Sequence, residues 1–265
     1  MHIGLALSGG GAIGAAHIGV LEQIEEHRVH PDSICGTSAG AIVGLLYADG
    51  GIDAIFRFLK LLETDGLIRS PLGLLARTPE KIWTLVGEAL SMCVEARSFE
   101  DLQVPFSCVA TDIVTGAPVV IDSGDPVAAV KASAAYPGVF AIQRVSGHYL
   151  VDGGITRNLP ADIVRKSGAD FVIGSSLYRV PEVKYNRGKP RLSRVEVALR
   201  ALEIMELEMS LQQIKLCDFC FQPPVETYRW YDFDRVAEIL RLGRRDASEN
   251  VGMLLAKLRA HPQSI

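Results

Sequence analysis

The stretch Ser33-Ile-Cys-Gly-Thr-Ser-Ala-Gly-Ala-Ile-Val-Gly-Leu-Leu-Tyr-Ala48 decides the fold. Ser33 to Cys35 reads as a short buried strand, and Ala39 to Ala48 as a helix of small and apolar residues. Gly36-Thr37-Ser38-Ala39-Gly40 joins them. A Gly-x-Ser-x-Gly pattern is weak by itself, but between a strand and a helix it forms a sharp turn that strains the serine backbone and exposes its hydroxyl. Small flanking residues leave room for that turn, and the amide dipoles of the following helix point at the same spot.

Working outward toward the N-terminus, Ile3 to Leu7 is another short apolar run. It ends in Ser8-Gly9-Gly10-Gly11, and Ala12 to Glu26 follows with apolar residues at helical spacing and Glu22, Glu25 and Glu26 on the other side. The opening is therefore β-α-β-α, which predicts a mostly parallel sheet covered by helices on both faces. Toward the C-terminus, Ile52 to Leu62 and Pro79 to Val94 read as helices. Phe106 to Asp112 and Ala117 to Ile121 read as a hairpin, Pro126 to about Ala135 as a helix, and Tyr149 to Val151 as a strand ending in Asp152-Gly153-Gly154. Leu159 to Ser167 and Phe171 to Ser175 repeat the helix-strand alternation. A linker-like loop, Val180 to Leu192, precedes a helix from Ser193 to about Gln213, a strand from Phe219 to Gln222 and a helical tail from Phe233 to Arg259.

The 265 residues, 48% of them hydrophobic, suffice for a sizeable core, and residues 1–265 are read as one α/β domain. The net charge of −4 is mixed along the chain without a basic block, so nothing points to a nucleic-acid partner. Five scattered cysteines fit reduced thiols of a cytoplasmic protein, and Cys217-x-x-Cys220, in an apparent strand, reads as two core thiols facing opposite ways rather than a zinc or redox pair. Ile3 to Leu21 carries no Asp, Glu, Lys or Arg, but three consecutive glycines would break a membrane-spanning helix, and the expectation is a soluble protein.

The chemistry gathers at three places. Ser38 is the candidate nucleophile. The Gly9-Gly10-Gly11-Ala12-Ile13-Gly14 turn opens a helix at the carboxyl edge of the sheet, where backbone N–H groups can hold the oxyanion of acyl transfer. The same turn satisfies Gly-x-Gly-x-x-Gly, so a dinucleotide-binding protein is an alternative, but the second strand lacks the acid that would hold a ribose. The base is less obvious, because His2, His17, His27 and His30 precede the elbow. Asp152, at the end of an apolar strand and followed by Gly153-Gly154, is the favoured base. It requires a partly desolvated site to raise its proton affinity, since a free carboxyl near pKa 3.9 deprotonates a hydroxyl poorly. A Ser38–Asp152–His261 triad is the competing arrangement, and a turn-forming role for Asp152 is the bland one.

Gly-Gly-Gly-Ala-Ile-Gly, then Gly36-Thr-Ser-Ala-Gly40, then Asp152-Gly-Gly154, together with Ala132-Ser133-Ala134-Ala135-Tyr136-Pro137, resemble the patatin-like phospholipase family in order and spacing across roughly residues 3 to 176. The 193 to 260 region, with Phe219-Cys-Phe-Gln-Pro223, resembles the small bacterial members. The resemblance implies a three-layer α/β/α sandwich and a Ser38–Asp152 dyad, with the Gly9 to Gly11 loop as oxyanion hole. Gly14, Gly36, Gly40, Gly153 and Gly154 are the motif glycines. It implies hydrolysis of phospholipid, lysophospholipid or related acyl esters without metal or cofactor. Family members usually carry Arg or Lys where this chain has Ile13, which turns the expectation toward a neutral acyl ester. A regulator or scaffold on the same fold is the non-catalytic alternative. The apolar, Arg-flanked stretch Leu67 to Arg77 is a candidate lipid-facing cap for peripheral membrane contact, the alternative being that its leucines close the core.

Overall fold

A computed structural model describes residues 1–64, 78–178 and 193–261. Its centre is an eight-stranded sheet: β1 (Ile3–Leu7), β2 (Ser33–Thr37), β3 (Phe106–Asp112), β4 (Pro118–Ile121), β5 (Gln143–Val145), β6 (His148–Asp152), β7 (Phe171–Ser175) and β8 (Phe219–Phe221). Strands β3, β2, β1, β7 and β8 lie side by side and parallel; β4 and β6 each pair with β3 in the antiparallel sense, and β5 pairs antiparallel with β6. The alternation expected from the opening β-α-β-α run therefore builds the parallel half, and the hairpins build the rest.

Each parallel strand sorts its side chains by period 2. Leu5, Leu7, Ile34, Cys108, Ala110, Phe171 and Ile173 join one large core, while Ala6, Cys35, Val109 and Val172 join a smaller one on the opposite face. Over the first face lie α1 (Ala15–Glu26), α2 (Ala39–Thr64), α3 (Pro79–Cys93) and the long α8 (Val236–Ala260). The second face is covered by α6 (Ala161–Lys166) and the end of α7 (Arg194–Ile214), packed through Val164, Ile163 and Ile214. Two shorter helices, α4 (Pro126–Ser133) and α5 (Gly154–Arg157), flank β6. This is the three-layer α/β/α arrangement.

Helix α2 breaks at Gly50 and Gly51, which have non-helical backbone angles, so the two helices read from the sequence are two limbs of one kinked element. By length and composition α2 is apolar enough to cross a membrane, but 67% of its most apolar window is buried against the protein. The proposed cap, Leu67 to Arg77, and the Val180 to Leu192 loop lie outside the described residues. The cysteine pair departs from expectation. Cys217 precedes β8, its amide bonded to the Ile214 carbonyl, and a side chain on Gly174 would meet both Cys217 Sγ at 2.6 Å and Cys220 Sγ at 2.9 Å. The two thiols thus converge on one face because only Cys220 belongs to the strand.

Candidate active site

The site is a consequence of register on β3. Strand β4 pairs with residues 108–111 of β3, so β2, paired at 106–109, and β6, paired at 110–112, must share the other edge. Thr37 of β2 lies opposite Val109, and Asp152 of β6 lies opposite the next residue, Ala110. Two strands running in opposite directions therefore end against each other. The chain leaving β2 turns at Ser38, and the chain leaving β6 turns at Asp152.

Ser38 has a left-handed backbone, φ 52°, the strained elbow expected of Gly-x-Ser-x-Gly. Its amide donates to Ser133 Oγ at 2.9 Å, and the Ser133 hydroxyl donates to the Val109 carbonyl at 2.6 Å, so one buried serine fixes the elbow to β3. Gly40 must be glycine because a side chain there would run into the Leu7 and Ser8 carbonyls, and Gly36 faces the Gly40 and Ala41 backbone in the same way. Gly14 abuts Ala39, and Gly153 abuts the Val109 carbonyl.

Asp152 is 1% exposed. Oδ1 accepts the Gly154 amide at 2.7 Å, and Oδ2 is buried with no hydrogen-bond partner among the described residues. Burial pushes its pKa up to about 6, against the pull of the nearby Ser38 hydroxyl and the Gly154 amide. This is the desolvated environment that a carboxylate base needs.

In the glycine loop, Gly9 donates its amide to the Asn158 carbonyl at 3.0 Å and Ala12 donates to the Trp230 carbonyl at 2.7 Å. Gly9 is therefore spent on holding the loop, which corrects the three-residue expectation. The amides of Gly10 and Gly11 make no hydrogen bond among the described residues. Gly11, at φ 59°, would clash with the Trp230 carbonyl if it carried a side chain. His17 anchors the start of the loop from below. Fully buried, it bonds the Ser8 carbonyl through Nε2 and Ser175 Oγ through Nδ1, both at 2.8 Å, and burial lowers its pKa to about 4. It is neutral, and its Nε2–H is the donor to Ser8.

Residues 5–165 match the patatin-like phospholipase family model. The chain belongs to the patatin-like phospholipase family. It is 30% identical over 285 residues to a patatin-like phospholipase domain-containing protein of Caenorhabditis elegans, covering 97% of this chain and 21% of that protein. It is 37% identical over 181 residues to an NTE family protein of Mycobacterium tuberculosis, covering 66% of this chain and 49% of the relative. The chain thus spans about a fifth to a half of these relatives. Among solved structures, VipD from Legionella pneumophila superposes with a TM-score of 0.57 at 15% identity, over 100% of this chain and 68% of the other, a likeness of fold.

In this patatin-like protein Ser38, Asp152 and the glycine loop line a solvent-connected cavity of about 110 Å³. One wall is apolar, with Ile42, Ile82, Trp83, Val86, Phe140 and Phe233; Trp83 and Phe140 stack with ring centroids 4.3 Å apart. The other end is polar: Asn158, Tyr178, Glu203 and Glu206. Ile13 is buried, and its side chain and that of Leu177 fill the space beside Gly10, supporting the loop.

None of the cavity's described lining residues is a histidine. His261 stacks edge-on against Phe171, at the amino end of β7 and so at the edge of the sheet opposite Ser38, and His148 bonds Asp112 Oδ2 at 2.7 Å. The triad alternative is thereby corrected. Among the described residues no cluster of three His, Cys, Asp or Glu is arranged to hold a metal ion. Sequence reasoning missed Asn158, Trp230, Tyr178 and Glu206, which come from turns and a helix with no local signature; Ser133 was marked only as part of the Ala132 to Pro137 block.

Proposed function

We propose that this patatin-like chain is a serine lipid acyl hydrolase working through a Ser38–Asp152 dyad and an acyl-enzyme. The observation that carries the reading is the juxtaposition, in one largely apolar cavity, of a left-handed Ser38 with the buried, desolvated carboxyl of Asp152. Asp152 takes the Ser38 proton as Oγ attacks the ester carbonyl. The oxyanion is held by the amides of Gly10 and Gly11, and Asp152 then delivers the proton to the departing alcohol. In the second half Asp152 deprotonates water, which attacks the acyl-enzyme, and returns that proton to Ser38 Oγ as the C–Oγ bond breaks and the acid leaves. The acyl chain lies along the wall of Ile82, Trp83, Val86 and Phe140. The apolar Ile13 beneath the loop favours an uncharged acyl ester over a phosphate-bearing one.

Fluorophosphonate labelling and short-chain ester hydrolysis test this. Both activities are expected in the wild type and in His261→Ala, with loss of labelling and at least about a 100-fold fall in turnover in Ser38→Ala and Asp152→Asn. A folded wild type that neither labels nor hydrolyses would overturn the enzyme reading and favour the regulator.

Peripheral contact with a lipid surface on the cytoplasmic side is the second part of the proposal. Its support is a group of exposed apolar residues, Ile113, Val114 and Tyr149, just beyond the carboxyl end of β3, with the Ile113 amide bonded to the Tyr149 carbonyl. Val114→Asp is expected to lower co-sedimentation with liposomes without altering hydrolysis of a soluble ester, and unchanged co-sedimentation would remove this part.

A further inference from the structure

The dyad reaction leaves one buried acid of the cavity unused. Glu206, near the middle of α7, is 3% exposed, and its Oε2 accepts the Tyr178 hydroxyl at 2.7 Å. Its other oxygen faces the catalytic turn: a methyl group placed on Gly154 would lie 3.0 Å from Glu206 Oε1 and 3.1 Å from Asp152 Oδ1. Two carboxyls from different layers of the fold thus converge on one glycine. The other titratable groups around Glu206 are Tyr178 from the segment after β7, Tyr136 from the segment after α4, and Glu203 one turn away on α7. All are acidic or neutral.

Two carboxylates this close in a desolvated site resist being charged together, and acyl transfer adds the oxyanion, a further negative charge, to the same cavity. We propose that Glu206 is a positioning residue for the reaction, keeping its proton while Asp152 is ionised, so that Ser38 reacts against a single carboxylate. The inference rests on the dyad reading and adds to it the condition under which the dyad works. Burial and then the charge of Asp152 push the Glu206 pKa up to about 8, while Asp152 stands at about 6. Between these values Asp152 is the charged member of the pair. Tyr178 does not supply the proton. Its hydroxyl donates to Glu206, and that bond favours the ionised carboxylate and holds its pKa down.

The pH dependence of kcat/KM for a soluble short-chain ester tests the proposal, because it reports ionisations of the free enzyme. The wild type is expected to rise through about pH 6 and fall above about pH 8. By pH about 9.5 it should stand about 10- to 30-fold below its own maximum, the response to one ionising group. Glu206→Gln, which keeps the shape and an acceptor for Tyr178, should retain the acid limb and lose the alkaline one. Tyr178→Phe removes the bond that favours ionised Glu206, so its alkaline limb should move to higher pH. An alkaline limb unmoved in Glu206→Gln, or in Tyr178→Phe should the first variant not fold, would overturn the role of Glu206 and leave the dyad standing. A wild type without activity or fluorophosphonate labelling would instead remove the dyad reading itself.

Discussion

At the scale of single residues, the proposed dyad would trade stability for reactivity, and Asp152 is where the trade is measurable. Its pKa rises from the ordinary 3.8 to about 6 on folding, because burial penalises the charged form. A carboxyl whose folded pKa is raised binds its proton more tightly in the native state. That contribution to stability is fully present below about pH 4 and is lost as the pH climbs through about 6. At pH 7 the folded protein therefore carries an unpaired buried charge. Asp152→Asn keeps an oxygen for the Gly154 amide and removes the charge. It is expected to stabilise the protein by about 1–3 kcal/mol at pH 7 to 8, a gain that vanishes near pH 4, while abolishing turnover. Thermal melts at the two pH values check this, and an equal effect at both would mean the charge is not desolvated. Ser38, Asp152 and the glycines were legible in the sequence because turn chemistry is local: few residues tolerate a left-handed elbow or a close backbone approach. Ser133 and Asn158 were not assigned their tasks, since a serine at a helix end and an asparagine in a turn look the same whether or not they hold a loop 95 residues away, as Ser133 does for Ser38. Glu206 is a sharper case. Among Glu203, Glu206 and Glu208 nothing in the pattern says which one is buried.

At the scale of elements, strands and helices came from periodicity, but what brings Ser38 to Asp152 is the sharing of one β3 edge by β2 and β6, a long-range pairing that no local pattern records. The sequence also missed β5, three residues long and half exposed on its own. A comparable hidden feature joins the outer helices. A side chain on Gly243 of α8 would overlap the Ala16 carbonyl, and one on Gly19 of α1 would overlap the Leu240 carbonyl and the Arg244 amide, so the two helices cross backbone to backbone. Gly243→Val must push them apart, opening a seam beside fully buried Ala16, Ile239 and Ala247. The expected cost is about 3 kcal/mol or more, read by urea denaturation. Gly252→Ala on the same helix, exposed and with nothing within 4 Å of the added methyl, should instead stabilise by about 0.5–1 kcal/mol. Similar effects of the two substitutions would show that helix propensity, not the crossing, sets the response.

At the scale of the whole molecule, the family match ends at residue 165, yet the last hundred residues build much of the site. Tyr178, Glu203, Glu206, Trp230 and Phe233 line the cavity, the Trp230 carbonyl takes the Ala12 amide, and β8 extends the sheet beside β7. Helix α8 returns across α1, where Arg244 forms a bidentate pair with Glu22 at 2.6 to 3.0 Å. The sequence presented this region as a completion of the domain, because its motifs are apolar and generic. The expected physical task is to hold the glycine loop in place, since the Trp230 carbonyl takes the Ala12 amide at 2.7 Å directly after Gly10 and Gly11. A chain ending after Gln222 keeps Ser38, Asp152 and the other motifs of the proposed dyad, but exposes the face of α1 that α8 covers. It is expected to lose cooperative thermal unfolding and to label with fluorophosphonate at least about 100-fold more slowly, the cost of a missing oxyanion donor. If the shortened chain melts cooperatively and labels as fast as the full one, the loop holds its own shape, and Trp230 only covers the cavity.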